Sequence, residues 1–139
     1  MVIPRFDPLT RGSQAKRAGG FTLIELLVVM AIVATLLTLA VPRYFISIDR
    51  SKEAVLKENL FQIRDAIGKY HADKGRYPDS LQALATEQYL RKVPIDPVTQ
   101  SEMTWVVVPV PAVTESAGVF DVRSGAQGKA TDGSEFSAW

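Results

Sequence analysis

The 139-residue chain contains no cysteine, which excludes disulfides, thiolate metal sites and cysteine nucleophiles. It has a single histidine, His71, so a multi-histidine metal centre is excluded as well. Sixteen Lys and Arg stand against fifteen Asp and Glu, a net charge of +1. That balance lacks the basic excess of a nucleic-acid binder. Paired-acid, nucleophile–base and phosphate-loop patterns are also missing, so no feature of the sequence supports an enzyme. An apolar fraction of 47% with 22% charged residues is too apolar for a disordered chain, and the length suits one small domain.

What is present is unevenly distributed. Residues 1–20 carry Arg5, Arg11, Lys16 and Arg17 against one acid, Asp7, while the remaining 119 residues carry a charge of −2. Between them lies Phe21–Val41, in which seventeen of twenty-one residues are apolar. A helix rises ~1.5 Å per residue, so about 20 residues cross a hydrocarbon core of ~30 Å. The uncharged stretch Leu26–Val41 has sixteen residues, which at that rise gives only ~24 Å. A full span therefore starts at Phe21 and includes Glu25.

Thirteen Leu, Ile, Val and Phe residues lie in this segment. At roughly −0.3 to −0.6 kcal/mol each they outweigh one acid costing on the order of +3 kcal/mol. The span is still favourable, but Glu25 is a cost that calls for a reason. A secretory signal peptide predicts a shorter apolar run without an acid and with a small-residue cleavage site. Here the run continues into Pro42-Arg43-Tyr44. A plain single-pass anchor explains the length but not the acid. Residues 5–20 and 42–57 hold four basic residues each, so the positive-inside rule leaves orientation open.

Gly20-Phe21-Thr22-Leu23-Ile24-Glu25, after a basic leader and before an apolar helix ending at Pro42, resembles the class III signal of type IV pilins and type II secretion pseudopilins. The resemblance implies cytoplasmic cleavage between Gly20 and Phe21 by a prepilin peptidase, which also N-methylates Phe21. The mature chain would have 119 residues, with Glu25 at its fifth position. Cleavage would create a cationic amine on Phe21 in the hydrocarbon zone, and the Glu25 carboxylate of a neighbouring subunit could neutralise it, so that two unfavourable charges are compensated by association. The alternative is that Glu25 snorkels towards a headgroup.

Past Pro42, where a kink or locally melted turn is expected, the helical period continues. Phe45, Ile48, Val55, Leu56, Leu60, Ile63, Ile67 and Tyr70 recur at three- and four-residue steps among charged residues, which predicts an amphipathic helix packed on its own domain. Gly75 and Pro78 should end it near residues 71–75. His71, at that end, reads as a structural residue. Asp79 with Gln82 reads as a capping box for a short helix over Ser80–Gln88. Thr104–Val108 and Gly118–Arg123, separated by residues 109–117, read as an antiparallel pair. The expected fold class is therefore α+β: a long N-terminal helix, membrane-spanning in its first half, packed on a small antiparallel sheet, a pilin-like lollipop. The resemblance implies a cleaved basic leader over 1–20, a transmembrane helix over 21–41 and a periplasmic domain over 42–139. That domain would divide into a helical part over 43–72 and a globular part over 73–139.

The stretches Tyr77-Pro78-Asp79 and Asp96-Pro97 and the tail from Ser124 to Trp139 are similar to segments of the major pseudopilin of type II secretion. In that family the tail loop binds calcium through acidic side chains and carbonyls. Here Ser124, Gly125, Ala126 and Gly128 match, but Gln127 stands where the family has its first acid, and Gly133 follows Asp132 where a second aspartate is frequent. Calcium wants six to eight oxygens and its affinity falls as ligand charge is lost. Asp132, Ser134 and Glu135 are the candidate ligands, and the reduced charge favours a metal-free, hydrogen-bonded turn.

The resemblance implies a structural subunit of a type II secretion pseudopilus in the inner membrane. Its partners would be further copies of itself in a homopolymer, minor pseudopilins, the prepilin peptidase/N-methyltransferase and an inner-membrane assembly platform, with no nucleic acid. A type IV pilin or minor pilin is the alternative within the superfamily, although a major type IV pilin usually closes its C-terminal loop with a disulfide. A plain membrane-anchored periplasmic domain is a third.

Overall fold

A computed structural model describes residues 1–3, 19–111 and 117–139; most of the basic leader and the centre of the 109–117 connector lie outside the described residues. The elements run α1 (Leu23–Lys74), α2 (Leu81–Thr86), β1 (Val106–Pro109), β2 (Val119–Arg123) and a 3₁₀ turn (Phe136–Ala138). The chain divides into two compact units, Met1–Thr38 and Leu39–Trp139.

In the first unit α1 is apolar all round and unburied: Leu23, Ile24, Leu26, Leu27 and Leu36 are all exposed. An 18-residue window of α1 has mean hydropathy 2.6 with none of it buried, so the helix is long and apolar enough to cross a membrane. Its polar side chains are satisfied locally, since the hydroxyls of Thr35 and Thr38 donate to the carbonyls of Ala31 and Ala34 at 2.9 and 2.8 Å. Such back-bonding is what a hydroxyl does where no water is available. The melted turn expected at Pro42 is not found: residues on both sides are helical. Proline removes only one N–H from a helix of 52 residues, and the neighbouring turns hold the local conformation.

In the second unit the buried stripe of α1 is Leu56, Leu60, Ile63, Ala66, Ile67 and Tyr70. It is narrower than the sequence predicts. Phe45 is exposed and Ile48 half-buried because the covering loops reach α1 only from about Lys52 onward, and Val55 is exposed because it lies about 100° round the helix from Leu56. Leu81 and Leu84 of α2, Val93, Trp105, Val119, Val122 and Phe136 complete the core. Each fully buried Leu or Ile contributes about 1.5–3 kcal/mol.

α1 ends at Lys74, and Gly75 follows with φ +68°, the left-handed conformation that glycine adopts without a Cβ penalty. The short helix differs from expectation by one residue at its start. Ser80, not Asp79, is the cap, its hydroxyl accepting from the Ala83 N–H at 3.2 Å. The Asp79 carboxylate turns instead towards Arg76, 3.5 Å away. α2 closes at Thr86 rather than Gln88, which has φ +65° and cannot continue a helix. The strands are antiparallel as expected, with Val107 opposite Val122 and an irregularity between Val108 and Pro109. β1 begins two residues later than predicted, because Trp105 is buried in the core with its indole N–H donating to the Pro94 carbonyl at 2.8 Å. Gly125 admits no side chain, since a Cβ there would run into the Thr104 carbonyl oxygen.

Polar groups lock the loops onto this core. Asp96 is fully buried, and its carboxylate accepts from the N–H groups of Val98 and Thr99 at 2.8 and 3.2 Å and from the Ser124 hydroxyl at 2.6 Å. Arg64 of α1 donates to Asp121 and to the Val122 carbonyl at 2.8 and 2.9 Å, fixing β2 to the helix. At the end of α1, Glu87 accepts from the Tyr70 hydroxyl at 3.0 Å and pairs with Lys74 at 2.8 Å. His71 stacks on Tyr77 with ring centres 4.2 Å apart, a structural role, as expected.

Two predictions follow from these contacts. Asp96→Ala orphans three donors in a dry site and should destabilise by about 3 kcal/mol, which for a small domain lowers Tm by more than about 10 °C. Asp96→Asn keeps the two backbone bonds through its remaining oxygen and should lose much less; thermal melts of the full chain in detergent compare them. Lys74 and the Tyr70 hydroxyl hold Glu87 below the usual carboxylate range. A depressed carboxylate contributes stability above its unfolded pKa and loses it as pH falls through the folded one. Glu87→Gln should therefore lower Tm near neutrality, while its Tm falls less than the parent's between about pH 6 and about pH 3.

Candidate processing and assembly site

The sequence singles out two regions, the start of α1 and the C-terminal loop. At the first, Gly19 and Gly20 lead into Phe21 and Thr22 without regular structure, and α1 begins at Leu23. The Thr22 hydroxyl accepts from the Glu25 N–H at 3.2 Å, and the Thr22 carbonyl accepts from the Leu26 N–H at 3.2 Å. Thr22 thus caps the helix, satisfying one of the free N–H groups of its first turn. Sequence analysis missed this role, although Thr22-x-x-Glu25 is the spacing of a capping box.

Glu25 is the acid of the first turn, where the helix dipole favours negative charge by about 0.3–1 kcal/mol. Its carboxylate has no cation within ion-pair distance among the described residues. Phe21 is 88% exposed. A Cβ added at Gly20 would meet nothing within 4 Å, so packing within this chain does not demand glycine there. The structure brings Phe21 and Glu25 to the same end of one helix, both free of tertiary partners among the described residues.

The C-terminal loop is built differently. The Asp132 carboxylate accepts through Oδ1 from the Ser134 N–H at 2.9 Å and the Ser134 hydroxyl at 2.5 Å. The Ser134 hydroxyl oxygen accepts in turn from the indole N–H of Trp139 at 2.8 Å. Its bonds to Ser134, side chain and backbone, hold Asp132 below the usual carboxylate range, with Lys57 adding to the effect. Glu135 lies beside the turn, its backbone bridged to that of Lys129. From α1, Glu53 receives the Thr131 N–H and hydroxyl on its two carboxylate oxygens, both at 2.7 Å. The Lys57 ammonium stands 4.0 Å from Asp132 Oδ2 and 4.2 Å from the centre of the Trp139 ring. No local signal could have revealed Glu53 and Lys57, because they meet the loop across more than seventy residues of chain.

This donor set offers calcium little free charge. One oxygen of Asp132 is engaged by Ser134 and the other faces an ammonium group, while calcium wants six to eight oxygens and binds more weakly as ligand charge is lost. Among the described residues no three His, Asp or Glu side chains converge in a way that could hold a metal ion. Asp132 and Ser134 are brought together, but as the two ends of a hydrogen-bonded turn.

The family model described as the prokaryotic N-terminal methylation motif matches residues 15–41. The type II secretion system core protein G of Pseudomonas aeruginosa is 32% identical, over 60% of this chain and 70% of that protein. Its counterpart in Klebsiella michiganensis is 31% identical, over 56% of this chain and 66% of that one. The type IV major pilin protein PilA of Myxococcus xanthus is 37% identical over 57% of this chain, but the match spans only 32% of the pilin. No solved structure matches the chain. The methylation motif, the α+β fold on one long helix and the core protein G relatives agree: the chain belongs to the type II secretion core protein G family, within the type IV pilin superfamily.

Proposed function

We propose that the chain is a structural subunit of a type II secretion pseudopilus, made as a prepilin, cut between Gly20 and Phe21, N-methylated on Phe21 and polymerised through its N-terminal helix. The observation that carries this reading is the apolar first half of α1, unburied, preceded by Phe21 and carrying in its first turn an acid without an ion-pair partner among the described residues. A surface of that kind needs lipid before assembly and other helices after it. The membrane stage is the inner membrane, with residues 42–139 in the periplasm. Its partners are further copies of itself, minor pseudopilins, the prepilin peptidase/N-methyltransferase and an assembly platform in the same membrane. The similarity to a major pilin makes a type IV pilus subunit the second reading. Secretion of a type II substrate by a strain expressing this chain as its only major subunit separates the two.

The free space around Gly20 gives the processing step a clean test. A Gly20→Val variant keeps the fold, because its side chain meets nothing, so any failure to cleave reports the peptidase alone. Mass spectrometry of membrane fractions should find a methylated Phe21 terminus in the parent and an intact leader in the variant. A mature terminus elsewhere overturns the assignment.

Glu25 tests assembly separately. Glu25→Gln keeps size, shape and the backbone cap but offers no charge to the new amine on a neighbour's Phe21. It should insert and be cleaved, yet fail to join filaments when it is the only copy. Crosslinks between cysteines engineered along Leu26–Val41 should fade while cleaved monomer accumulates. Filaments and secretion at parental levels would reduce Glu25 to a first-turn acid that complements the helix dipole.

A further inference from the structure

The polar groups around the C-terminal loop close a circuit. Lys57 faces the Asp132 carboxylate, Asp132 accepts from Ser134, Ser134 accepts from the indole N–H of Trp139, and the Trp139 ring lies beneath Lys57. Next to it, Glu53 holds Thr131 by two hydrogen bonds. Glu53 and Lys57 are four residues apart and so share one helix face. They receive consecutive loop residues with matched chemistry, a carboxylate for the donors of Thr131 and an ammonium for the carboxylate of Asp132. The last residue of the chain is tied to the same cation through its π face and, via Ser134, to the same carboxylate.

We propose that Lys57 is the loop's built-in counter-cation: its ammonium group does for Asp132 and Trp139 what the family resemblance assigns to bound calcium, so the loop is ordered without a divalent ion. The departures at Gln127 and Gly133, each lacking the acid frequent in the family, belong to the same change. A loop compensated by a single positive charge from α1 needs one carboxylate rather than several, and Asp132 supplies it. The inference concerns loop order alone and stands or falls independently of pseudopilus assembly.

Hydrogen exchange of the full chain in detergent micelles, read by mass spectrometry over residues 129–139, tests it. Parental protection should be the same in about 1 mM calcium and in chelator. Lys57→Met keeps the aliphatic stem but removes the charge, and should raise exchange in this segment by about 2- to 5-fold, the size of an exposed cation–π contact. Lys57→Arg should restore protection. About 1 M NaCl should move the parent towards Lys57→Met and leave that variant unchanged, since the effect is ionic. Asp132→Asn removes the ion pair from the loop side but leaves the contact of Lys57 with Trp139, and should raise exchange in the same segment by less than Lys57→Met. Exchange over residues 56–70 reports whether each variant is folded. Calcium-dependent protection in the parent overturns the proposal, as does parental exchange in both Lys57→Met and Asp132→Asn.

Discussion

Between Leu23 and Ile46 the surface of α1 finds no cover among the described residues, and that constraint governs the other features of the molecule. A helix that is apolar all round requires either lipid or other helices. Within the second unit, the face from Leu56 to Tyr70 is what α1 gives to the chain's own core. Along the apolar first half the positions of the few polar groups matter. Thr35 and Thr38 turn back onto the helix, Thr22 caps it, and the Glu25 carboxylate is left without an ion-pair partner among the described residues.

The second half of α1 is the scaffold for everything after it. A two-stranded ribbon is not stable by itself in water, and here β2 is held by Arg64 while Val119 and Val122 pack into the core. Long connections are fixed by polar anchors rather than by regular structure. Asp96 gathers its own loop and Ser124, Asn59 holds the Ile95 carbonyl, and Glu53 and Lys57 receive the C-terminal loop. The folded unit is thus one helix face carrying a series of loops, each tied by one or two well-placed side chains.

Much of this is legible in the sequence where the signal is local and periodic. The apolar run, the stripe Leu56-Leu60-Ile63-Ile67-Tyr70, the stop at Gly75 and the two β-rich runs follow from spacing and residue type. The methylation motif is legible because its parts lie within six consecutive residues, Gly20 to Glu25. The errors came where two nearby residues compete for one job. Asp79 and Ser80 are both good caps, and in the structure Ser80 caps the helix while Asp79 faces Arg76. Phe45 and Ile48 have the period of a core stripe, yet periodicity cannot say how far along a helix the covering loops extend.

The sequence by itself determined that this chain carries one membrane-compatible helix with an acid near its start, an amphipathic continuation and a small β-containing remainder, because hydrophobicity and its period are properties of neighbouring residues. Only the tertiary structure decided which charged residues are spent on one another. Nothing in the order of residues pairs Lys57 with Asp132 or Glu53 with Thr131, or buries Asp96 against Ser124. These contacts join positions tens of residues apart, and they exist because the core draws the loops back across a single face of α1.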